Sequence, residues 1–358
     1  MADGWLDDLG ELLSAAQRGE ARRVDESGSL TSALEEIVLG APREYTRAEV
    51  VERAGIPPEE GHRLWRALGF PEVDDTDVLF TERDIEAATA LRQLTEAGVL
   101  APDEREAVGR AVAQAMSRLA EWQVGMLARI VAERAEELTP EQSLQLAAGL
   151  LPKLEQLQSY VWRRHMAATV SRFVVGRDGS SDVEPRAETW PLAVGFADMV
   201  GFTRTTRRRS AAELSEMIER FSSSTTDVIA EGHGRIIKTV GDEVLFVADD
   251  AGAAAAIALA LRERVEAEPS LPRLRIGVAY GEVLVRYGDV YGEVVNIAAR
   301  LTSHARPDSI LVDREVAAAL RDDPRFHIRP LRPLQVRGYR NLHPFLLSGA
   351  GSRGARER

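Results

Sequence analysis

A change of residue pattern near residue 180 constrains the fold of this chain more than any other feature. Upstream of it, successive segments repeat apolar residues at helical spacing and are rich in Ala, Leu and Glu. From Pro191 onward, short apolar runs alternate with amphipathic helical segments. Between them, GRDGSSDVEPRAE at 176–188 is polar and contains Gly, Ser and Pro, which is typical of a linker. The sequence therefore predicts two domains of different class.

These patterns predict where the domains begin and end. We expect an all-α domain over 1–173, a linker over 174–189, a mixed α+β domain over 190–348 and a disordered tail over 349–358. A chain of 358 residues is long enough for two domains, because single hydrophobic cores usually stop growing before that length. In the second domain, RIIKTV and EVLFVA read as strands joined by a Gly241-Asp242 hairpin turn.

Composition excludes several classes of protein. The chain has no cysteine, which rules out disulfides, thiolate metal sites and cysteine nucleophiles. Its six histidines are scattered, so any metal would be held mainly by carboxylates. No apolar run approaches the roughly 18 residues of a membrane helix, and the N-terminus is acidic where a signal peptide is basic. We therefore expect a cytoplasmic protein without an integral membrane segment.

Two aspartates stand at the ends of apolar runs in the second domain. Asp198 ends the run LAVGFADM, and Asp242 lies in the hairpin turn. Either one alone reads as an ordinary turn or cap residue. Two carboxylates at neighbouring strand ends are costly to bury unless they are paired or bind a metal. Because hard oxygen ligands suit Mg²⁺ or Mn²⁺, the pair suggests a divalent metal site.

Four further polar residues of the second domain are candidates for a binding site. Asn296 and Arg300 are one helical turn apart in GEVVNIAARL, and an arginine fork suits phosphate oxygens, although each alone reads as a solvated surface residue. Asp289, just before that helix, could be a turn residue. Lys238 is one of only two lysines among 45 basic residues, which indicates that arginine does not serve at this position.

Three segments resemble a known family. FADMVGFT, KTVGDEVLF and YGDVYGEVVNIAARL resemble the signature segments of class III nucleotide cyclases, and the likeness spans roughly residues 190 to 345. It implies a ferredoxin-like or palm-type fold, an antiparallel-rich sheet with flanking helices. It also implies conversion of ATP to 3′,5′-cyclic AMP and pyrophosphate.

The resemblance also implies roles for single residues. Asp198 and Asp242 would bind two metal ions per active site, Mg²⁺ or Mn²⁺. Asn296 would orient the ribose, and Arg300 would stabilise the transition state. Lys238 and Asp289 would recognise adenine, where guanylyl cyclases typically carry Glu and Cys.

The spacing of Lys238 and Asp242 bears on assembly. Four residues separate them, yet one should face the base and the other the metals at the far end of ATP. One chain can hardly place both on the same nucleotide. The resemblance therefore implies a head-to-tail homodimer with two equivalent shared sites, in which a monomer is inactive.

The N-terminal half leaves an alternative open. YTRAEVVERAGIPPEEGHRLWRALGF, with Gly55 in its turn, suggests a helix-turn-helix of the MerR type. The chain would then be a DNA-binding regulator with a cyclase-like, nucleotide-sensing second half. Residues 1–170 contain 18 Lys and Arg against 31 Asp and Glu, a net charge of −13. That acidity argues against nucleic acid, because DNA affinity depends on basic contacts to phosphate. Another alternative is a cyclase-like binding module that has lost turnover.

The same half also resembles the regulatory domain of actinobacterial pH-sensing adenylyl cyclases. That resemblance implies an all-helical, autoinhibitory module with a proton or a fatty acid as effector. On the last helix, His165 is the most plausible titrating group, because histidine changes charge nearest neutral pH. A packed structural histidine is an equal reading, and the linker contains no second histidine.

Overall fold

A computed structural model describes residues 30–133, 139–175, 189–207, 209–336 and 339–350. The chain divides into two compact units, with the boundary between Asp182 and Val183. The expected linker lies mostly outside the described residues, as does the expected tail from residue 351 onward.

The regular structure of unit 1, in its described residues, consists of α-helices and one isolated bridge between Tyr45 and Phe80. Its helices are α1 (Leu30–Leu39), α2 (Arg47–Ala54), α3 (Pro58–Ala67), α4 (Glu82–Glu96), α5 (Arg105–Glu133) and α6 (Pro140–Val175). The all-α prediction for this half is confirmed. No helix among the described residues of either unit is long and apolar enough to cross a membrane.

Local sequence explains where these helices begin and end. Thr46 and Glu49 form a capping box at the start of α2, each satisfying a backbone N–H of the other. Gly55 ends α2 with φ 67°, a left-handed conformation that glycine adopts without strain. As expected, α6 begins at Pro140 directly after Thr139. The turn between α2 and α3 thus has the predicted helix-turn-helix outline.

Unit 2 is built around one large sheet. Its elements are β1 (Thr189–Met199), α7 (Phe202–Thr206), α8 (Ala211–Glu231), β2 (Arg235–Val240), β3 (Glu243–Ala248), α9 (Ala251–Glu266), β4 (Leu274–Arg286), β5 (Asp289–Tyr291), α10 (Glu293–His304), β6 (Ser309–Val312), α11 (Arg314–Ala319), β7 (Phe326–Pro330), β8 (Leu334–Val336), β9 (Tyr339–Leu342) and β10 (Phe345–Gly349). The last strand therefore continues through Gly349, one residue into the segment expected to be a tail.

The sheet has eight strands in the order β2-β3-β1-β4-β6-β10-β7, with β5 paired to β4. The β4–β6 pair is parallel and the other pairs are antiparallel. Strands β8 and β9 form a separate two-stranded ribbon. The prediction of an α+β domain with an antiparallel-rich sheet is confirmed.

Helices cover both faces of this sheet. On one face, α8, α9 and α11 bury a large core that includes Phe221, Phe246 and Leu261. On the other face, Val294 and Ala298 of α10 pack over Phe196 and neighbouring strand residues in a smaller core. The candidate site lies on this second face, at the end of β1 and the β2–β3 turn.

Candidate active site

Asp198 lies near the end of the central strand β1, and its residue is only 8% exposed. It is paired in register with Glu243 on β3 and with Arg275 on β4. Directly opposite residues of antiparallel strands point to the same face of a sheet. The side chains of Asp198, Glu243 and Arg275 therefore share one face, and the Nε of Arg275 donates a hydrogen bond to Oδ2 of Asp198.

Asp242 lies beside Asp198, as the sequence predicted. It occupies the second position of the two-residue β2–β3 turn, after Gly241 with φ 62°. The backbone N–H of Met199 donates to the carbonyl of Asp242 over 3.0 Å, which ties the end of β1 to this turn. Partial burial raises the pKa of the Asp242 carboxyl, and the nearby charge of Asp198 raises it further.

Sequence reasoning missed the other two members of this group, Glu243 and Arg275. Burial raises the pKa of the Glu243 carboxyl, and the charges of Asp198 and Asp242 raise it further, while Arg275 opposes the shift. The group thus gathers three carboxylates and one guanidinium. Glu243 follows Asp242 directly, but Arg275 lies 77 residues from Asp198, and only the strand register reveals their contact.

This acidic group fits a divalent cation. Among the described residues, no set of three or more His, Asp or Glu side chains is arranged around a single ion position. Asp198 and Asp242, whose carboxyl groups are neighbours, are the two candidate donors. That number suits Mg²⁺, which is commonly bound by one or two carboxylates together with substrate phosphates and water.

Lys238 and Asp289 form a second polar group. The Nζ of Lys238 lies 2.5 Å from Oδ2 of Asp289, and the two side chains are 41% and 26% exposed. Oδ1 of Asp289 accepts the N–H of Val290 over 2.8 Å. Asp289 begins β5 after a two-residue turn, so it is held by a hairpin and is not a loose turn residue. A donor and an acceptor are thus fixed side by side in a partly exposed position.

Asn296 and Arg300 lie on α10, and both are exposed. The structure confirms their spacing of one helical turn. Within the described part of the chain, no recorded hydrogen bond or ion pair links either side chain to Asp198, Asp242 or Lys238. Within one chain, the six predicted residues therefore lie at three places. Asp198 and Asp242 lie at the end of β1 and in the β2–β3 turn, Lys238 and Asp289 form an ion pair, and Asn296 and Arg300 lie on α10.

A close contact between α10 and β4 fixes the position of that helix. A Cβ at Gly277 would lie 2.4 Å from the carbonyl oxygen of Ala298 and 2.4 Å from the backbone nitrogen of Thr302. Only glycine permits this approach. The hydroxyl of Thr302 lies 2.9 Å from the carbonyl oxygen of Ala298 and 3.3 Å from that of Phe196 on β1, so its one proton can be donated to either. In unit 1, His165 is an exposed residue of α6.

Comparison with known proteins gives both units a family. Residues 186–349 match the adenylate and guanylate cyclase catalytic domain, and residues 21–166 match the adenylate cyclase regulatory domain. The stretch that suggested a helix-turn-helix lies inside the second match. An adenylate cyclase of Streptomyces coelicolor is 40% identical over 343 residues, which cover 88% of each protein.

Two further matches extend this comparison. The pH-sensitive adenylate cyclase MT1302 of Mycobacterium tuberculosis is 34% identical over 313 residues, covering 85% of this chain and 78% of that protein. The crystal structure of the adenylyl cyclase CyaB from P. aeruginosa superimposes with a TM-score of 0.42 and 22% identity, covering 45% of this chain and 95% of that one.

The chain is thus a member of the class III nucleotide cyclases, with a catalytic domain preceded by a helical regulatory domain. Within that class it belongs to the adenylate cyclases, and it is an enzyme.

Proposed function

We propose that the chain converts ATP to 3′,5′-cyclic AMP and pyrophosphate at two equivalent sites, each shared between two copies of the chain. The 3′-oxygen of ribose attacks the α-phosphorus in line. The bond from that phosphorus to the bridging oxygen of the β-phosphate breaks, pyrophosphate leaves, and the 3′-hydroxyl proton passes to solvent. Two divalent cations, Mg²⁺ or Mn²⁺, would supply positive charge at the 3′-oxygen and the phosphates.

Each group of the site has a place in this reaction. Asp198 and Asp242 hold the metal ions, since both are partly or largely buried oxygen donors at adjoining strand ends. Arg300 meets the negative charge that develops at the α-phosphate, and Asn296 orients the ribose; their exposure on α10 suits groups that act on a bound nucleotide.

The ion pair of Lys238 with Asp289 supports selection of ATP. Adenine has an exocyclic amine that donates and ring nitrogens that accept. The ammonium of Lys238 can only donate, and the carboxylate of Asp289 can only accept. Guanine would leave both partly buried groups facing the wrong partner, which strongly disfavours it. Their 2.5 Å contact keeps the two groups at the spacing of neighbouring atoms on one base edge.

The observation that carries the shared-site proposal is that Lys238 pairs with Asp289 while Asp242 lies with Asp198. Lys238 lies on β2 and contacts the start of β5, whereas Asp242 lies in the β2–β3 turn and is hydrogen-bonded to the end of β1. Large apolar side chains near the lysine–aspartate pair are exposed: Val240 by 62%, Tyr287 by 43% and Tyr291 by 49%. A second copy packed over this face would bury them and bring its own carboxylates to the base-reading pair.

We also propose that residues 1–173 inhibit the catalytic domain at 190–348, and that the linker at 174–189 carries the signal. The match of unit 1 to a regulatory domain supports this proposal, and one relative is named for its pH sensitivity. A proton or a fatty acid is the proposed effector. His165 is the proposed titrating group, since it is exposed on α6, the helix that leads toward the linker.

One assay tests the activity. Purified protein with Mn²⁺ or Mg²⁺ and ATP should release cyclic AMP and pyrophosphate in equal amounts, and Asp242→Ala should abolish both. Arg220→Gln is the control, because Arg220 forms an exposed ion pair with Glu216 on α8. Absence of product at every pH, for the full chain and for the fragment from Glu184, would contradict the proposal.

A comparison of two chains tests the regulation. The full chain should gain activity on acidification, and the fragment from Glu184 should change much less. His165→Gln in the full chain should reduce the gain if that residue titrates. Parallel pH profiles for the full chain and the fragment would assign the pH effect to the active site and not to unit 1.

A further inference from the structure

We propose that a cationic groove in unit 2, near the C-terminal end of α10, binds an organic phosphate with an aliphatic body. The groove has a volume of about 900 Å³, which is within the usual range for small-molecule sites. None of the six residues predicted for the active site lines it. It is therefore a separate site, and neither the sequence patterns nor the matches to known proteins assign a ligand to it.

The groove carries an excess of positive charge. Arginines from four different segments line it: Arg262, Arg306, Arg329 and Arg332. The carboxylates of Glu266 and Asp308 also line it, but Asp308 is already paired with Arg273 over 2.9 Å. This excess stands out in a chain whose net charge is −12. A phosphate monoester, with about two negative charges near neutral pH, would complement it, because guanidinium groups bind phosphate oxygens well.

Arg262 on α9 is the strongest indication of an anion. Its side chain is only 13% exposed, and its Nη2 lies 3.8 Å from Oε1 of Glu263, which is too far for a hydrogen bond. In the described part of the chain, its guanidinium donates no hydrogen bond, although that group carries five N–H donors. A largely buried charge without hydrogen bonds is costly, so an anion in the groove would stabilise it.

Arg329 lies beside an aliphatic row. It is directly opposite Leu346 of β10, which in turn is directly opposite Leu311 of β6. Directly opposite residues share a face of the sheet, so the arginine and the two leucines lie side by side. Strand β7 ends the strand order, and an arginine on an edge strand commonly blocks pairing with another strand. That explanation does not account for Arg262, which lies on a helix.

The apolar part of the lining indicates what kind of molecule carries the phosphate. Five leucines and two prolines line the groove, and Leu331, Leu334 and Leu346 belong to the cluster around Leu301 of α10. Among the described residues, no Phe, Tyr or Trp lines the groove. Nucleobases are commonly held by stacking on aromatic side chains. The lining thus favours an aliphatic chain over a nucleobase as the body of the ligand.

Isothermal titration calorimetry on the full chain tests the proposal, with n-hexyl phosphate as the probe. Inorganic phosphate is the second ligand, and EDTA keeps divalent cations out of the candidate active site. We expect one hexyl phosphate per chain, bound at least about 10-fold more tightly than inorganic phosphate, because each buried methylene adds affinity. Arg262→Gln and Arg329→Gln should each weaken its binding about 10-fold or more, since each removes charge-assisted hydrogen bonds.

Two control variants locate the bound probe. Arg325→Gln removes an exposed arginine next to β7 that does not line the groove, so it should bind hexyl phosphate as the parent does. Arg300→Gln should also bind as the parent does, because Arg300 belongs to the candidate active site. Loss of binding in Arg300→Gln would place the probe in that site and overturn the proposal. Cyclase activity is not a readout here, so the proposed function and this inference fail separately.

The remaining outcomes decide the proposal as follows. No binding by the parent, or parent-like affinity in both Arg262→Gln and Arg329→Gln, would overturn it. Equal affinities for inorganic phosphate and hexyl phosphate would overturn the aliphatic body of the ligand. If circular dichroism shows that Arg262→Gln does not fold, Arg329→Gln decides, since Arg329 is exposed. Parent-like affinity in that variant overturns the proposal, and weakened affinity supports it.

Discussion

Lys238 and Asp289 join two hairpins that lie 51 residues apart in the sequence, through an Nζ-to-Oδ2 contact of 2.5 Å. The lysine comes from β2, which is irregular between Ile236 and Lys238, and the aspartate comes from the start of β5. Each residue holds the other's side chain near the position from which it would meet a base. The pair is therefore a unit, and changes to it should be judged together.

The first prediction concerns base selection. In the double variant Lys238→Glu with Asp289→Cys, the acceptor and donor pattern no longer matches adenine. We expect kcat/KM for ATP to fall by about 10²-fold or more, and the ratio of ATP to GTP turnover to fall with it. Steady-state rates with both nucleotides measure this change.

The control for that experiment is Arg220→Gln, which removes an exposed ion pair with Glu216 on α8. Surface pairs of this kind contribute little to stability, so the control should behave as the parent does. A double variant whose ATP-to-GTP ratio equals that of the parent would leave Lys238 and Asp289 without a role in reading the base.

The second prediction tests whether sites are shared. Asp242→Ala and Arg300→Ala should each be inactive alone. When the two are co-expressed, a mixed dimer has one site with both defects and one site with neither. Random pairing makes half of the dimers mixed, so about a quarter of the parent activity should return.

The control for sharing is co-expression of Asp242→Ala with Asp198→Ala. Both changes affect the metal half of the site, so every site in every dimer keeps one defect and no activity should return. Equal activity from the two co-expressions, whether high or absent, would count against sites built from two copies.

The third prediction concerns the close packing of α10 against β4 at Gly277. Gly277→Ala would place a methyl group 2.4 Å from two backbone atoms of that helix, so α10 must move outward. Asn296 and Arg300 move with it. We expect the free energy of unfolding to fall by about 1–3 kcal/mol. We also expect kcat to fall by about 10²-fold, since displacement of catalytic groups by about 1 Å has that effect.

The matched control is Gly125→Ala on α5, where an added Cβ meets nothing within 4 Å. Alanine favours a helix over glycine, so this variant should be slightly more stable, by about 0.5–1 kcal/mol. Urea unfolding and cyclase rates of both variants give the comparison. Parent-like kcat in Gly277→Ala would mean that α10 tolerates the shift.

Local features of the site were predictable from the sequence. The Gly241-Asp242 turn and the flanking strands follow from a turn pair between two apolar runs, and their bounds agree with the structure. The proximity of Asp198 and Asp242 was also expected, because both lie at strand ends. Strand β5 and the strands from β7 onward were missed, since they are short and their sequences are mixed in character.

What could not be predicted depends on strand register. Arg275 meets Asp198 only because β4 pairs with β1 at one particular alignment among several that the apolar pattern allows. The same holds for Glu243, which read as an ordinary strand residue until β3 was aligned with β1. Strand register fixes contacts between segments that are distant in the sequence, and a single sequence does not reveal that register.

The last prediction concerns pH and stability. Asp313 caps α11 and is only 3% exposed, and its carboxylate accepts the N–H groups of Val316 and Tyr280. Burial raises the pKa of Asp313 to about 7, above its usual value of 3.8. Between those values the folded chain binds more protons than the unfolded chain, so stability falls as pH rises.

A shift of this size corresponds to a loss of at most about 4 kcal/mol on going from pH 4 to above pH 7, at about 1.4 kcal/mol for each pH unit. Asp313→Asn removes the titration, so its unfolding free energy should vary less with pH over that range. It should be less stable than the parent at low pH, because its amide nitrogen cannot accept the second N–H. Asp250→Asn, at the exposed cap of α9, is the control and should keep the parent's slope. Urea unfolding at a series of pH values, with hydrogen exchange of α11 amides, measures the stability of each variant and its dependence on pH. Equal slopes of unfolding free energy against pH for the parent and Asp313→Asn would show that Asp313 does not titrate in this range.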